Sequence, residues 1–110
     1  YLLGRLFSVL EAVQKAANPG INTTIKDRYF NAACATPGMA FPTLLRLSQK
    51  HLRKLNDGLA TYYDSQITEL MAQLPESGFP ARLSLPDQGK FAIGYYHQTQ
   101  KRFAKKNEEE

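Results

Sequence analysis

Apolar residues recur along this chain at the alternating steps of three and four that place side chains on one face of an α-helix. Leu3, Leu6, Leu10, Val13 and Ala17 form the first such stripe, and Leu2, Phe7 and Val9 widen it. The stripe should end at Asn18-Pro19-Gly20, because proline disfavours helical backbone at the residue before it. A second helix is expected from Thr24, where Thr24-x-x-Asp27 has the form of a capping box, each side chain serving an orphan amide of the first turn. It carries Ile25, Tyr29, Phe30 and Ala33 up to a second break at Thr36-Pro37-Gly38.

A third helix is predicted from Pro42, since a first-turn proline lacks only an amide that would have been unpaired anyway. Its apolar face, Leu44, Leu45, Ser48, Leu52, Leu55 and Leu59, continues through Ile67, Leu70, Met71 and Leu74. This stretch is one long helix or two. Asn56-Asp57-Gly58 is the bend point, as glycine costs about 1 kcal/mol in a helix interior. Pro75 to Pro80 reads as a loop, and Ser84-x-x-Asp87 opens a last helix over about Leu85 to Lys105. No segment keeps a two-residue alternation, and there are no internal repeats. Short loops place successive helices side by side. The expected fold is all-α, a compact antiparallel bundle of four to five helices. It forms one domain over residues 1–106, followed by an acidic frayed tail at 107–110, where carboxylates oppose the helix dipole.

Charge adds a direction. Of the 110 residues, 14 are basic and 10 acidic, a net +4. Three of the acids are Glu108, Glu109 and Glu110, so residues 1–107 set fourteen bases against seven acids. A body this basic points to an anionic partner, most often nucleic acid. The single cysteine, Cys34, excludes an internal disulfide framework and suits a reducing compartment. No apolar run approaches the roughly 20 residues of a membrane span. The opening Tyr1-Leu2-Leu3-Gly4-Arg5 lacks a secretory-signal pattern, and its want of an initiating methionine fits a stretch trimmed from something longer.

Catalytic chemistry finds little to stand on. His51 and His97 are 46 positions apart, each without a second ligand at helical spacing, whereas a metal site needs three or four convergent ligands. No metal, cofactor or small-molecule substrate is therefore expected. Gly89 and Gly94 lie inside a helical pattern and read as points of close helix contact. Asp57 and Asp64 read as a solvated face, Met39 and Met71 as gap-fillers. Tyr62, Tyr63, Tyr95 and Tyr96 have rings that can stack bases, but their ordinary role at this density is core. With no nucleophile–base pair in view, the chain is expected not to be an enzyme.

The basic residues say more. At 100° per residue, Arg46, Lys50, Arg53 and Lys54 fall within an arc of about 100° opposite the leucine stripe. The second helix adds Lys26 and Arg28, and the last adds Lys90, Lys101, Arg102, Lys105 and Lys106. Each set alone reads as a solvated face. Three together in a basic body favour contacts to phosphates, which position a nucleic acid without reading its sequence.

Three stretches carry a resemblance: Tyr1-Leu2-Leu3-Gly4-Arg5-Leu6-Phe7; Asn18-Pro19-Gly20-Ile21-Asn22 with Ile25-Lys26-Asp27-Arg28-Tyr29-Phe30; and Gln88-Gly89-Lys90-Phe91-Ala92-Ile93-Gly94-Tyr95-Tyr96-His97-Gln98. Together they resemble the C-terminal part of the large subunit of type I-C CRISPR Cascade, a crRNA-guided surveillance complex in which the same coding stretch is also translated as a separate small subunit. The resemblance runs from Tyr1 to about Arg102. It implies a non-enzymatic, cytoplasmic, prokaryotic helical subunit lining the inner face of the complex. Its implied partners are the CRISPR backbone subunits, the large subunit, further copies of itself, the crRNA–target DNA heteroduplex and the displaced DNA strand. Lys26 and Arg28 become candidates through this likeness. Arg46, Lys50, Arg53 and Lys54 come from the helical arc, and Lys101, Arg102 and Lys105 form a looser third set. Two rivals remain: a structural adaptor bridging backbone and large subunits, and a stand-alone basic helical module that binds nucleic acid.

Overall fold

The computed structural model describes the backbone through Glu109 and side chains through Phe103. The chain forms five helices, α1 (Leu2–Ala17), α2 (Ile25–Ala35), α3 (Pro37–Leu52), α4 (Asp57–Ala72) and α5 (Leu85–Glu109), with no strand among the described residues. The all-α bundle read from the apolar spacing is the fold. α1 ends where Asn18-Pro19-Gly20 predicted, and Gly20 turns the chain at φ +86°. At α2 the reciprocal cap is present: Thr24 Oγ1 accepts from the Lys26 amide at 3.2 Å, and the Asp27 carboxylate accepts from the Thr24 amide at 2.8 Å.

The third helix begins five residues earlier than expected. Pro37, not Pro42, occupies its first turn, and Pro42 lies inside the helix on an exposed position. The anchor is tertiary: the Gly38 amide donates to the Pro80 carbonyl at 2.9 Å and the Leu83 amide to the Ala35 carbonyl at 3.1 Å, tying the 73–84 loop to the α2–α3 junction. The leucine-rich stretch is two helices. Asn56 caps α4 by accepting from the Leu59 amide at 2.8 Å, so the break rests on a side-chain oxygen as much as on Gly58. α5 opens with the Ser84 hydroxyl accepting from the Asp87 amide at 3.3 Å and continues to Glu109, past the predicted end.

α1 is the hub of the bundle and packs against each of the other four helices, most extensively against α5. Its residues from Leu3 to Val13 are buried apart from Arg5, as expected of a helix that is apolar nearly all round. Phe7, Phe30, Phe91 and Tyr95 form an edge-to-face cluster with centroids 5.3–5.9 Å apart, the geometry the ring quadrupole favours. Phe41 stacks on Phe79 at 5.0 Å. The α1–α5 seam closes on glycines: a Cβ at Gly4 would strike the Phe91 carbonyl, and one at Gly94 the Tyr1 carbonyl. Gly94 is thus the close-contact residue its pattern implied. Gly89 is not, since its outer side is open. Met39, expected to fill a gap, is 79% exposed; the earlier start of α3 turns it outward. Met71 does pack on the core.

Candidate nucleic-acid interface

α3 separates its apolar and basic residues by simple periodicity. Leu44, Ser48 and Leu52 are buried, whereas Arg46, Lys50, Arg53 and Lys54 are exposed. Arg46, Lys50 and Arg53 line one shallow groove with Thr43, Leu47 and Gln49. Their restraints are light: Arg46 reaches the Thr43 hydroxyl at 3.5 Å, and Lys54 donates to Asn18 Oδ1 at 3.4 Å. Among the described residues the one ion pair is Lys90–Asp87, 3.7 Å apart on α5. Among the described residues, none of these cations forms an ion pair, although Asp64 of α4 lines a second groove with Arg53.

The other candidates are placed differently. Lys26 is partly buried, its ammonium 5.2 Å from the ring centroids of both Tyr95 and Tyr96, a cation–π clasp of α2 on α5. Arg28 is exposed on the same helix. Arg102 donates to the Ser8 carbonyl at 3.1 Å and to the Ser8 hydroxyl at 3.0 Å, which ties α5 to α1. Lys101 is exposed beside it, and both line a cleft with Arg5, Tyr62, Gln66, Glu69, Leu70 and Gln98. Lys105 lies outside the described side chains. The structure thus gathers Arg46, Lys50 and Arg53 along one groove, with Arg53 at the C-cap of α3; it places Lys54 in the turn beyond the helix end, against Asn18, and leaves the α2 and α5 candidates as separate places. Arg5 was missed by periodicity; its only signal was a charge inside the apolar opening stretch, Leu2 to Leu10, of α1. Tyr95 is buried and Tyr63 half-buried, in keeping with the core role expected of them, while Tyr62 and Tyr96 are exposed.

Titratable groups in the interior serve the fold. Glu11, buried in α1, accepts from the Tyr95 hydroxyl and from Thr24 Oγ1, the latter at 2.7 Å. Burial and the Glu11 carboxylate together push the Tyr95 phenol well above its usual range. His51 is held below its ordinary value by burial and by Lys54; its Nδ1 lies 3.4 Å from Asn18 Nδ2. His97 Nδ1 pairs with the Tyr1 hydroxyl at 2.8 Å. Buried Cys34 meets the Gln88 carbonyl at 3.5 Å, and burial raises its thiol. Among the described residues no three metal-ligating side chains converge, and no helix is long and apolar enough to cross a membrane.

The fold and its surface define a small basic helical bundle with one cationic face on α3. A sequence profile of the CRISPR-associated protein family Cas_Csd1 matches residues 1–103. The chain belongs to that family, and the kinship read from its three sequence stretches holds. A search of curated proteins gives no match.

Proposed function

We propose that this chain is a non-catalytic subunit of a crRNA-guided type I-C CRISPR complex, acting in the prokaryotic cytoplasm. In this reading α3 and the turn that follows it present Arg46, Lys50, Arg53 and Lys54 to the phosphates of target DNA strands. The observation that carries it is the exposure of Arg46, Lys50 and Arg53 along one groove, opposite a buried apolar stripe and without an ion-pair partner among the described residues. Membership of a CRISPR-associated family supports an assembly built around guide RNA. The exchange of duplex for heteroduplex is nearly balanced, so backbone contacts by protein are enough to tip it. A sequence-blind cationic surface suits that task better than one that reads bases. Arg28 extends the same role from α2, whereas Lys26 and Arg102 contribute mainly by holding helices together.

The test is target-DNA binding by the reconstituted complex across a salt series, with the native chain and with Arg46→Ala, Lys50→Ala and Arg53→Ala combined. The variant should keep its circular dichroism, weaken R-loop formation, and flatten the salt slope by roughly 0.7–0.9 per lost contact. An unchanged slope removes α3 from the interface and leaves the adaptor reading in its place.

A further inference from the structure

α4 and α5 both pack against α1, and among the described residues they do not pack against each other. The cleft between them, floored in part by buried Leu70, is therefore built into the packing of the bundle. Two guanidiniums meet there, and each is held at one end. Arg5 donates through Nε to Gln98 Oε1 at 3.0 Å, and Arg102 donates through Nη1 to Ser8. Neither Nη of Arg5, nor Nε or Nη2 of Arg102, donates to a described residue, which leaves most of their N–H donors for another acceptor. Such anchored forks differ from a lysine on an open surface, because less side-chain freedom is lost when an anion arrives. Gln98 is 9% exposed, and its Nε2 also donates to no described residue. Among the described residues no fully buried side-chain polar atom lacks a partner. That amide therefore keeps its exposure, and the cleft is the surface that Gln98 lines.

Lys101 stands exposed on the α5 wall, so three cations face one carboxylate, Glu69 of α4, with which none of them forms an ion pair among the described residues. That excess attracts an anion, and guanidinium forks match phosphate oxygens two at a time. The α4 wall has a different chemistry. Tyr62 presents a ring that is 39% exposed, the kind of flat surface on which a base stacks. Gln66 offers both a donor and an acceptor, and a carboxylate such as Glu69 accepts from the exocyclic amino group of cytosine. The cleft has a volume of about 240 Å³, at the small end of ligand sites, which begin near roughly 300 Å³. One nucleotide matches that scale and a duplex does not.

We propose that this cleft binds one unpaired nucleotide, its phosphate on Arg5, Lys101 and Arg102 and its amino-bearing base against Tyr62, Gln66 and Glu69. A free nucleoside monophosphate and a single residue of an unpaired strand share this chemistry. Bare phosphate or an acidic peptide would satisfy the cations, but it would meet Glu69 with like charge and leave the α4 wall unused. A paired base is also excluded, because its stacking face and pairing edge are hidden inside the duplex. The site is separate from the α3 groove, whose lining has no aromatic ring. The inference thus goes beyond the sequence-blind phosphate contacts assigned to α3 and does not rest on them.

Isothermal titration of the whole chain with CMP, cytidine and inorganic phosphate tests it. CMP should bind, and cytidine and phosphate should each bind at least about tenfold more weakly, because each lacks one half of the contacts. Lys101→Ala should raise the CMP dissociation constant about tenfold through a lost charge-assisted contact. Glu69→Gln should narrow the gap between CMP and phosphate, since it removes the repulsion of phosphate and weakens the hold on the amino group. Both positions are exposed, and circular dichroism checks folding. Arg46→Ala should leave CMP binding unchanged. The source of the nucleotide is read with a short oligodeoxycytidylate, on the chain that also carries Arg46→Ala, Lys50→Ala and Arg53→Ala. Lys101-dependent binding much tighter than that of CMP assigns an unpaired strand, and equal affinity assigns a free nucleotide. Four results would overturn the proposal: no binding of CMP at millimolar concentration, CMP and phosphate bound alike, a CMP affinity that Lys101→Ala does not alter, or one that Arg46→Ala abolishes. The second would indicate a plain anion cleft, the fourth the α3 groove. None of these readouts is the DNA salt slope, so this site and the α3 reading fail separately.

Discussion

The α1–α5 seam and the helix α4 are built from the same kinds of residue and are held in different ways. At the seam, backbone meets backbone across Gly4 and Gly94. Hydrogen bonds then run along it from Tyr1–His97 through Arg5–Gln98 to Ser8–Thr99 and Ser8–Arg102. The buried Glu11–Tyr95 pair lies in the same seam. α4, by contrast, buries only Ile67 and Leu70 of its sixteen residues. The contrast teaches that α1 and α5 form the closely fitted frame, whereas α4 buries little of itself and presents most of its surface outward.

The comparison breaks most readily at a glycine. Gly4→Ala forces a methyl group onto the Phe91 carbonyl and should destabilise by about 3 kcal/mol, read as a lower denaturant midpoint. Next in size, Tyr95→Phe removes a hydroxyl donated to a buried carboxylate and should cost roughly 1.5–3 kcal/mol. It also changes the pH response. The Tyr95 phenol is raised above its unfolded value of 10.0 in the fold, so the unfolded chain releases that proton first. The stabilisation is complete below about pH 10 and is lost as pH rises beyond it. Stability curves of the native chain and Tyr95→Phe should therefore converge on the alkaline side, and parallel curves would assign the shift elsewhere. The smallest effect has the opposite sign. At Gly58 of α4 a Cβ meets nothing nearer than Asn56 Oδ1 at 3.6 Å, so Gly58→Ala should stabilise by about 0.5 kcal/mol through the unfolded chain. A loss there instead would mean that α4 is more tightly constrained than its burial indicates.

Legibility followed the range of the interactions involved. The cap formed by Thr24 and Asp27, the stop at Asn18 and the split of α3 from α4 at Asn56 depend on residues within a turn of each other. The cationic face of α3 was equally readable, because one helix with a buried leucine stripe must present Arg46, Lys50 and Arg53 on its other side. Pro42 misled because Pro37 is equally suited to a first turn, and the choice between them was made by the Pro80 carbonyl. Lys26 and Arg102 looked like free cations from local spacing, yet their ring and Ser8 partners lie about seventy and ninety-four positions away. Arg5 was missed for a related reason: which face of a helix apolar nearly all round is buried depends on its neighbours.

By itself, then, the sequence determined the helices, their caps and breaks, the basic balance of the body and the family to which it belongs. These rest on periodicity, backbone sterics and composition, all written along the chain. Only the tertiary structure decided that the first and last helices form the closest pair, which glycines permit it, and which cations stay free. Those outcomes follow from long-range packing. A helix-spaced stripe states that a face will be covered without stating by what, and burial or pairing of a charge is settled by atoms that the chain brings together from its two ends.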